Sequence, residues 1–177
     1  MGVIDVPFSV SGLVAIPFHI LSDTDLRQIL EWRNDDRIRR WMDNGEIIPW
    51  TTHRDFSRRL SDANDRVYLR VDLGGDASIG VINLTDIDIR TKRAELGLYR
   101  VPETEVLGVG DKLMLVIHAL SYHLGLRRLS LRVYDSNARA IKLYCRNGYA
   151  ERSRHGKHLL MERDLRIGDA RQDAHRS

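Results

Sequence analysis

The chain has 177 residues, a single cysteine and a formal net charge of +3 at pH 7. One cysteine excludes an internal disulfide framework and favours a reducing, cytoplasmic location. The basic residues form neither a clustered block nor a pattern interleaved with aromatic residues, so we expect no nucleic-acid partner. The apolar opening is interrupted by Asp5, Pro7 and Pro17 and follows no basic segment, so we expect neither a secretory signal nor a membrane span.

Arginine makes up 24 of the 28 basic residues. Its planar guanidinium group binds phosphate and carboxylate in a forked geometry, so the excess favours an anionic small-molecule ligand. A coding bias toward arginine explains the same excess equally well.

The first half of the chain predicts an arm, a strand, three helices and a strand meander. Residues 1–12 are expected to form a loose N-terminal arm, and residues 13–20 a strand. The first helix is expected to begin at Ser22 or Asp23, which are both cap-type residues. The three helices are predicted over 22–34, 35–42 and 51–62. Alternating apolar residues predict antiparallel strands over 66–73, 78–88 and 93–101.

The second half predicts helices and strands in alternation. A long amphipathic helix is expected over 110–125, directly after a glycine-rich loop, and a shorter one within 136–152. Three further strands are predicted over 128–135, 149–154 and 158–165, the last two joined by a hairpin near Gly156. Residues 166–177 are polar and are expected to fray.

Asn137 and Tyr144 lie seven residues apart in the shorter helix, which is almost two turns. Both side chains are therefore able to reach one bound ligand. Ala138, Ile141 and Cys145 form an apolar stripe beside them, so a packing role for Tyr144 stays open.

The glycine-rich loop before the long helix carries Gly108 and Gly110. A helix that begins at such a loop offers unpaired backbone N–H groups and the positive end of its dipole, which together favour phosphate binding. The loop lacks the Lys-Ser/Thr of a P-loop and the third glycine of a dinucleotide fingerprint, so a plain turn stays open for the loop alone.

The order of the elements and two motifs together resemble the GNAT superfamily of acetyl-coenzyme A (acetyl-CoA) dependent N-acetyltransferases. The family's loop reads Gln/Arg-x-x-Gly-x-Gly/Ala, and residues 105–110 match both glycines, with Glu105 in place of Gln or Arg. The later family pattern Asn-x-x-Ala-x-x-x-Tyr-x-x-x-Gly-Tyr/Phe is met at Asn137, Ala140, Tyr144, Gly148 and Tyr149. The resemblance covers about residues 13–165.

This resemblance implies an α+β fold, an α/β sandwich with helices on both faces of a mixed, mostly antiparallel sheet. The sheet is expected to have a V-shaped splay between the fourth and fifth predicted strands. Residues 13–165 are expected to form a single domain between the N-terminal arm, 1–12, and a flexible C-terminal tail, 166–177.

The resemblance also implies acetyl-CoA as co-substrate, with Asn137 on its pantetheine arm and Tyr144 beside its sulfur. Tyr144 is expected to donate a proton to the departing thiolate, since a phenol with an unperturbed pKa of about 10 stays protonated at neutral pH. The cofactor-binding residues implied are Leu98, Tyr99, Val101, Leu107, Gly108, Val109, Gly110, Asp111, Asn137, Ala140 and Tyr144.

Glu95 and Asn83 are further candidates for the catalytic centre. Strand alternation places Glu95 on one face with Gly97 and Tyr99. Tyr99 matches the acceptor-side tyrosine of the family, so the resemblance implies that Glu95 points toward the amine. Arg132 falls where some relatives carry a carboxylate, which removes one candidate base. Solvent water is the alternative base.

The N-terminal half resembles the N-acetyltransferases of pseudaminic acid biosynthesis at Arg33, Trp41, Met42, His53 and Phe56. That family acetylates the 4-amino group of a UDP-linked 4-amino-4,6-dideoxy-N-acetyl-altrosamine. Arg33 and His53 are expected to supply cations for the pyrophosphate, and Trp41 and Met42 an apolar wall for the uracil. The substrate-binding residues implied are Arg33, Trp41, Met42, His53, Thr85 and Tyr99.

Other functions stay open at this point. The alternatives are an acetyltransferase for protein N-termini and a CoA-binding sensor without catalysis. Direct attack by the amine in a ternary complex is expected, since Cys145 lies about 100° around the helix from Tyr144. The histidines at 118 and 123 face different ways on their helix, and those at 155 and 158 lack acidic or thiol partners, so no metal is expected. No membrane partner is expected, and a homodimer stays open.

Overall fold

A computed structural model of the protein describes residues 2–74 and 77–165. The described residues form eight strands in one sheet, with five α-helices and two short 3-10 turns. The strands are β1 (Phe8–Val10), β2 (Leu13–Pro17), β3 (Val67–Leu73), β4 (Ala77–Asp88), β5 (Arg93–Arg100), β6 (Arg128–Tyr134), β7 (Ala150–His155) and β8 (His158–Asp164). The helices are α1 (Asp23–Asn34), α2 (Asp36–Arg39), α3 (Trp50–Arg59), α4 (Val109–His123) and α5 (Ala138–Arg146), and the 3-10 turns are Phe18–Ile20 and Leu60–Asp62.

The sheet has the order β1-β2-β3-β4-β5-β6-β8-β7, and each neighbouring pair is antiparallel except β5 and β6. Those two strands are parallel because α4 carries the chain back across the sheet. They pair only over Arg93–Glu95 and Arg128–Ser130, and beyond that point β5 stays with β4 while β6 stays with β8. The predicted mixed sheet and its V-shaped splay are therefore confirmed.

Helices cover both faces of the sheet, because alternate residues of its strands face opposite sides. Val81 on β4 and Tyr68 on β3 pack with α1 and α3. Ile82 and Leu69, one position along each strand, pack in the larger core with α4 and α5. The two apolar layers hold the splay of β5 and β6 between them.

The N-terminal region differs from its prediction in two places. The expectation of a loose arm is wrong for Phe8–Val10, which pairs with β2 through a tight turn at Ser11 and Gly12. Both turn residues have positive φ, 48° and 75°, the geometry of a two-residue hairpin turn. The strand predicted over 13–20 stops at Pro17, which has no N–H for the ladder, and a 3-10 turn follows.

Ser22, rather than Asp23, is the N-cap of α1. Its hydroxyl accepts from the Asp25 amide at 3.1 Å, while the Asp25 carboxylate accepts from the Ser22 amide at 3.2 Å. This reciprocal pair satisfies two backbone donors that the helix leaves open. Residues 166–177, predicted to fray, lie outside the described residues, and the division into arm, domain and tail stays a prediction.

Candidate active site

The splay between β5 and β6 opens a cleft with a volume of about 1300 Å³. The cleft runs from the first turn of α4 and α5 to the face covered by α1 and α3. Most of the residues predicted for the site line it: Arg33, Trp41, Met42, His53, Asn83, Thr85, Glu95, Leu98, Tyr99, Leu107, Gly108, Val109, Gly110, Asn137, Ala140 and Tyr144.

Two predicted cofactor residues, Val101 and Asp111, do not line the cleft. Val101 is buried in the core beneath α1, and its amide donates to the Ile79 carbonyl at 2.9 Å. The Asp111 carboxylate accepts from Arg146 at 2.8 and 2.7 Å and from Asn147 at 3.0 Å. The Asp111 side chain therefore ties α4 to the end of α5.

The first turn of α4 forms one end of the cleft. Gly108 caps the helix with φ of 68°, in the left-handed region that glycine adopts without strain. The first backbone bond of the helix runs from the Lys112 amide to the Gly108 carbonyl at 3.1 Å. The amides of residues 109–111 precede that bond and have no partner within the helix. They lie at the positive end of the dipole, where a phosphate group is stabilised.

Gly110 allows α4 and α5 to approach closely. A Cβ atom at this position would lie 3.0 and 3.1 Å from the two methyl carbons of Leu143 on α5. The glycine is predicted to allow a ligand to approach the backbone. Its contact with Leu143 gives a second reason for a glycine at this position, which is helix packing. Because Leu143 precedes Tyr144, this contact also positions the proposed acid.

Asn137 is the N-cap of α5. Its Oδ1 atom accepts from the Ala140 amide at 3.2 Å, which explains why an Asn stands at this position. The cap does not use the Nδ2 donors of Asn137. Asn137 lines the cleft with Ala140 and Tyr144, so the start of α5 and the start of α4 share one wall.

Tyr144 lies in the core and in the cleft at once. It is 7% exposed and meets the ring of Tyr149 edge-on, at a centroid distance of 6.0 Å. Burial raises the pKa of Tyr144 to about 12, so the phenol is protonated at neutral pH. No hydrogen-bond partner for its hydroxyl occurs within 2–74 and 77–165. The packing role and an available proton donor therefore coexist in one side chain.

Asn83 is held on the polar face of the sheet by its two neighbours. It pairs with Gly97 across β4 and β5, and a Cβ atom on Gly97 would lie 2.2 Å from the Asn83 Oδ1 atom. Gly97 therefore leaves the room that the Asn83 side chain occupies. On the other side Asn83 pairs with Tyr68 across β4 and β3, where burial raises the pKa of the Tyr68 hydroxyl and the Asn83 side chain opposes that rise. Tyr68 was missed by the motif comparison, although strand alternation opposite Leu69 indicates this face.

Arg33 and His53 lie together at the end of the cleft covered by α1 and α3. We call this the acceptor end, because the residues predicted to bind the acceptor lie there. The Arg33 Nη2 atom donates to the Asn44 carbonyl at 2.8 Å, and its Nη1 atom is buried without a partner in the described part of the chain. His53 is 6% exposed, and burial, followed by the charge of Arg33, lowers its pKa. A lowered pKa favours the neutral imidazole at pH 7, so it does not favour the predicted role of His53 as a cation.

Tyr99 faces Arg33 from β5. Burial raises its pKa, against the opposing effect of the nearby guanidinium group. The phenol is therefore neutral and is able to donate a hydrogen bond to a ligand in the cleft. This placement agrees with an acceptor-side position for Tyr99.

Trp41 and Met42 form an apolar patch at the acceptor end. The Trp41 ring lies 6.2 Å from that of Tyr134 on β6, and the Arg40 guanidinium carbon lies 5.3 Å from the Trp41 ring centroid. A flat ring flanked by a cation suits a planar base with a phosphate nearby.

Positive charge dominates the cleft lining. Eight arginines line it: Arg33, Arg37, Arg40, Arg59, Arg100, Arg132, Arg139 and Arg146. Among the described residues two carboxylates line it, Asp43 and Glu95. Glu95 accepts from the Arg132 Nε atom at 3.1 Å, so this candidate base is engaged in an ion pair. The cleft as a whole therefore favours anionic ligands.

No helix within 2–74 and 77–165 is long and apolar enough to cross a membrane. Within the same ranges, no group of three or more His, Cys, Asp or Glu side chains is placed to hold a metal ion.

Comparison with known proteins identifies relatives across most of the chain. A sequence profile described as the Acetyltransferase (GNAT) domain matches residues 18–150. The acetyltransferase PseH of Campylobacter jejuni is 32% identical over 133 residues, which are 75% of this chain and 81% of that protein.

Solved structures are similar over a still larger share of the chain. The N-acetyltransferase PseH of Campylobacter jejuni in complex with acetyl coenzyme A has a TM-score of 0.72 and 25% identity, and the match covers 87% of this chain and 99% of that one. The spermidine N-acetyltransferase of Vibrio cholerae in complex with CoA and spermine has a TM-score of 0.75 and 21% identity, and the match covers 88% and 97%. The second likeness is one of fold alone.

Proposed function

The chain belongs to the GNAT family of acetyl-CoA-dependent N-acetyltransferases, and we propose that its acceptor is a UDP-linked amino sugar. The sugar proposed is UDP-4-amino-4,6-dideoxy-N-acetyl-β-L-altrosamine, acetylated at its 4-amino group in pseudaminic acid biosynthesis. The N-terminal resemblance supports this choice, as does the similarity to PseH. We also infer a cytoplasmic location, where acetyl-CoA and nucleotide sugars are both present.

One observation supports the proposal most: the arginine-rich acceptor end meets the start of α4 and α5 in a single cleft. A nucleotide sugar carries a pyrophosphate, which needs cations, and a uracil, which needs an apolar surface. The buried, unpartnered Nη1 atom of Arg33 and the half-buried Trp41 ring in the cleft lining suit these needs. A buried donor without a partner is unfavourable unless a ligand satisfies it.

The proposed binding of acetyl-CoA uses the other end of the cleft. The free amides of 109–111 bind its pyrophosphate, with Leu107 and Gly108 leading the chain to them. Asn137 and Ala140 border the pantetheine arm, and Leu98 and Tyr99 of β5 lie opposite, where β6 has diverged and left backbone groups of β5 unpaired. The acetyl group is then held within the splay.

The proposed reaction is a direct transfer. The amine nitrogen attacks the thioester carbonyl, a C–N bond forms as the C–S bond breaks, and the departing sulfur takes the Tyr144 proton. Asn83 and Thr85 orient the acceptor from β4, and the amine proton leaves to Glu95 or to water. Cys145 is exposed and lies outside the cleft lining, so no acetyl-cysteine takes part.

Product analysis tests the proposed acceptor. The protein is incubated with acetyl-CoA and a panel of UDP-amino sugars, N-terminal peptides and polyamines, and products are identified by mass spectrometry. We expect the 4-amino UDP-sugar to gain one acetyl group faster than every other compound. Faster acetylation of a peptide amine would favour a protein N-terminal acetyltransferase, and CoA binding without any product would favour a sensor.

A further inference from the structure

The carboxylates in the cleft have a common partner. Arg132 lies on β6, two residues beyond the point where β6 leaves β5. Its Nε atom lies 3.1 Å from the Glu95 Oε1 atom, and its Nη1 atom lies 3.2 Å from the Asp43 Oδ2 atom. One arginine therefore engages both of the carboxylates that line the cleft in the described chain.

These contacts raise the pKa of Arg132, the hydrogen bond with Glu95 most of all. Asp86, near the cleft but outside its lining, acts in the same direction at longer range. Asp43 has a second neighbour, since its Oδ1 atom lies 3.3 Å from the His158 Nε2 atom. Among the described residues, Arg132 is the only ion-pair partner of Glu95.

The consequence concerns the local charge: Arg132 offsets one of the two carboxylate charges, and its loss would make this part of the cleft more negative. Without Arg132 the cleft would present a Glu95 carboxylate without an ion-pair partner in the described chain, and an Asp43 carboxylate that contacts only His158. Such a pair attracts ammonium groups, because a charge-assisted hydrogen bond to a carboxylate is among the stronger polar contacts. With Arg132 in place a polycationic acceptor has to compete with the guanidinium group for both carboxylates.

We propose that Arg132 determines acceptor specificity by pairing with Glu95 and Asp43, so that the cleft disfavours polyamines. This inference rests on the proposed function only in placing the acceptor amine in this cleft. It does not depend on which anionic sugar is the acceptor. The two ion pairs of Arg132 also link β6 to β5 and to the loop after α2.

The test uses spermidine as a triamine probe of the CoA-saturated protein. Arg132→Gln is expected to bind spermidine about tenfold or more tightly than the wild type in calorimetry, because it frees Glu95. Arg132→Gln combined with Glu95→Gln should lose most of that gain. Arg40→Gln is the matched control, since it removes the same charge from the same cleft and releases no carboxylate in the described structure.

The outcomes separate the two proposals. Equal spermidine binding by the wild type and Arg132→Gln, or an equal gain in Arg40→Gln, would overturn the inference. Arg132→Lys keeps a positive charge but loses the forked geometry, so we expect an intermediate gain in spermidine affinity. This variant measures the same effect if Arg132→Gln does not fold. UDP binding by the wild type tests the nucleotide-sugar proposal separately, because it involves no polyamine.

Discussion

The two ends of the cleft are built by different means. The cofactor end relies on backbone geometry: the Gly108 cap, the free amides of 109–111 and the Asn137 cap. The acceptor end relies on charged side chains from distant segments, such as Arg33 on α1, Asp43 in a loop and Arg132 on β6. In the proposed function, backbone geometry fixes where a phosphate binds, whereas side-chain pairing decides which acceptor is tolerated. Substitutions should therefore separate the two ends.

Tyr144→Phe should give the largest effect, because it removes the proposed proton donor where the two ends of the cleft meet. We expect kcat to fall by a factor on the order of 10² with little change in acetyl-CoA affinity. Steady-state kinetics and CoA titration measure the two quantities. Cys145→Ser, one position on and outside the cleft lining, should retain wild-type kcat. Wild-type turnover in Tyr144→Phe would leave only the packing role.

The pH dependence of kcat gives a second measurement of the same group. Burial raises the pKa of Tyr144 to about 12, above the ordinary value, so the proton donor is retained as the pH rises past neutrality. We expect no alkaline fall in kcat below about pH 10, the unperturbed value for tyrosine. A fall centred between pH 7 and 9 would assign the acid to another group.

Gly110→Val tests whether the first turn of α4 binds CoA, because it adds a side chain beside the free amides. The new side chain would meet Leu143, and overpacking of this kind costs about 1 to 3 kcal/mol. We expect weaker CoA binding, by roughly tenfold, in calorimetry. Combining it with Leu143→Ala should recover part of the loss, since the clash is relieved. Unchanged CoA affinity in folded Gly110→Val would remove this turn from the site.

Arg33→Ala tests the acceptor end by its charge. The KM for the UDP-sugar should rise about tenfold, because a charge-assisted contact with its pyrophosphate is lost, while the KM for acetyl-CoA stays nearly the same. Asn34→Ala is the control for loop position, since Asn34 holds the same loop through two bonds of 2.9 Å with Ile48 and carries no charge. The KM of Asn34→Ala for the UDP-sugar should depend on salt concentration as it does in the wild type. Equal rises in both KM values for Arg33→Ala would refute an acceptor-specific role.

Asp111→Asn should have the smallest effect, since its bonds to Arg146 and Asn147 lie at the surface. We expect a loss of about 0.2 to 1 kcal/mol in the free energy of unfolding at neutral pH. The hydrogen bond with Arg146 lowers the pKa of Asp111, so its contribution is present above the unfolded value, about 4, and is lost as the pH falls through the lowered one. Urea unfolding should show a smaller difference from wild type at pH 3 than at pH 7.

The cofactor end could be predicted from sequence because its determinants are local. A helix start after Gly108 and a cap at Asn137 depend on short runs of residues. The side chains of Val101 and Asp111 do not line the cleft, because a motif fixes the path of the backbone and not the direction of every side chain along it. The close contact of Gly110 with Leu143 required the packing of two helices and could not be predicted from either one.

The acceptor end could be predicted only as a set of residues. Arg33, Trp41 and His53 do line the cleft, but the charge of His53 depends on burial, which the sequence does not give. The contact of Arg132 with Glu95 joins residues on two strands that pair over only three residues. Such contacts depend on where the strands diverge, and the alternation of each strand does not determine that point.

Titration of UDP into the CoA-saturated protein tests most directly whether the cleft binds a nucleotide sugar. We predict a single UDP per chain, with an affinity that falls as salt increases and about tenfold weaker binding in Arg33→Ala. The absence of UDP binding in a protein that binds CoA normally would contradict the proposal.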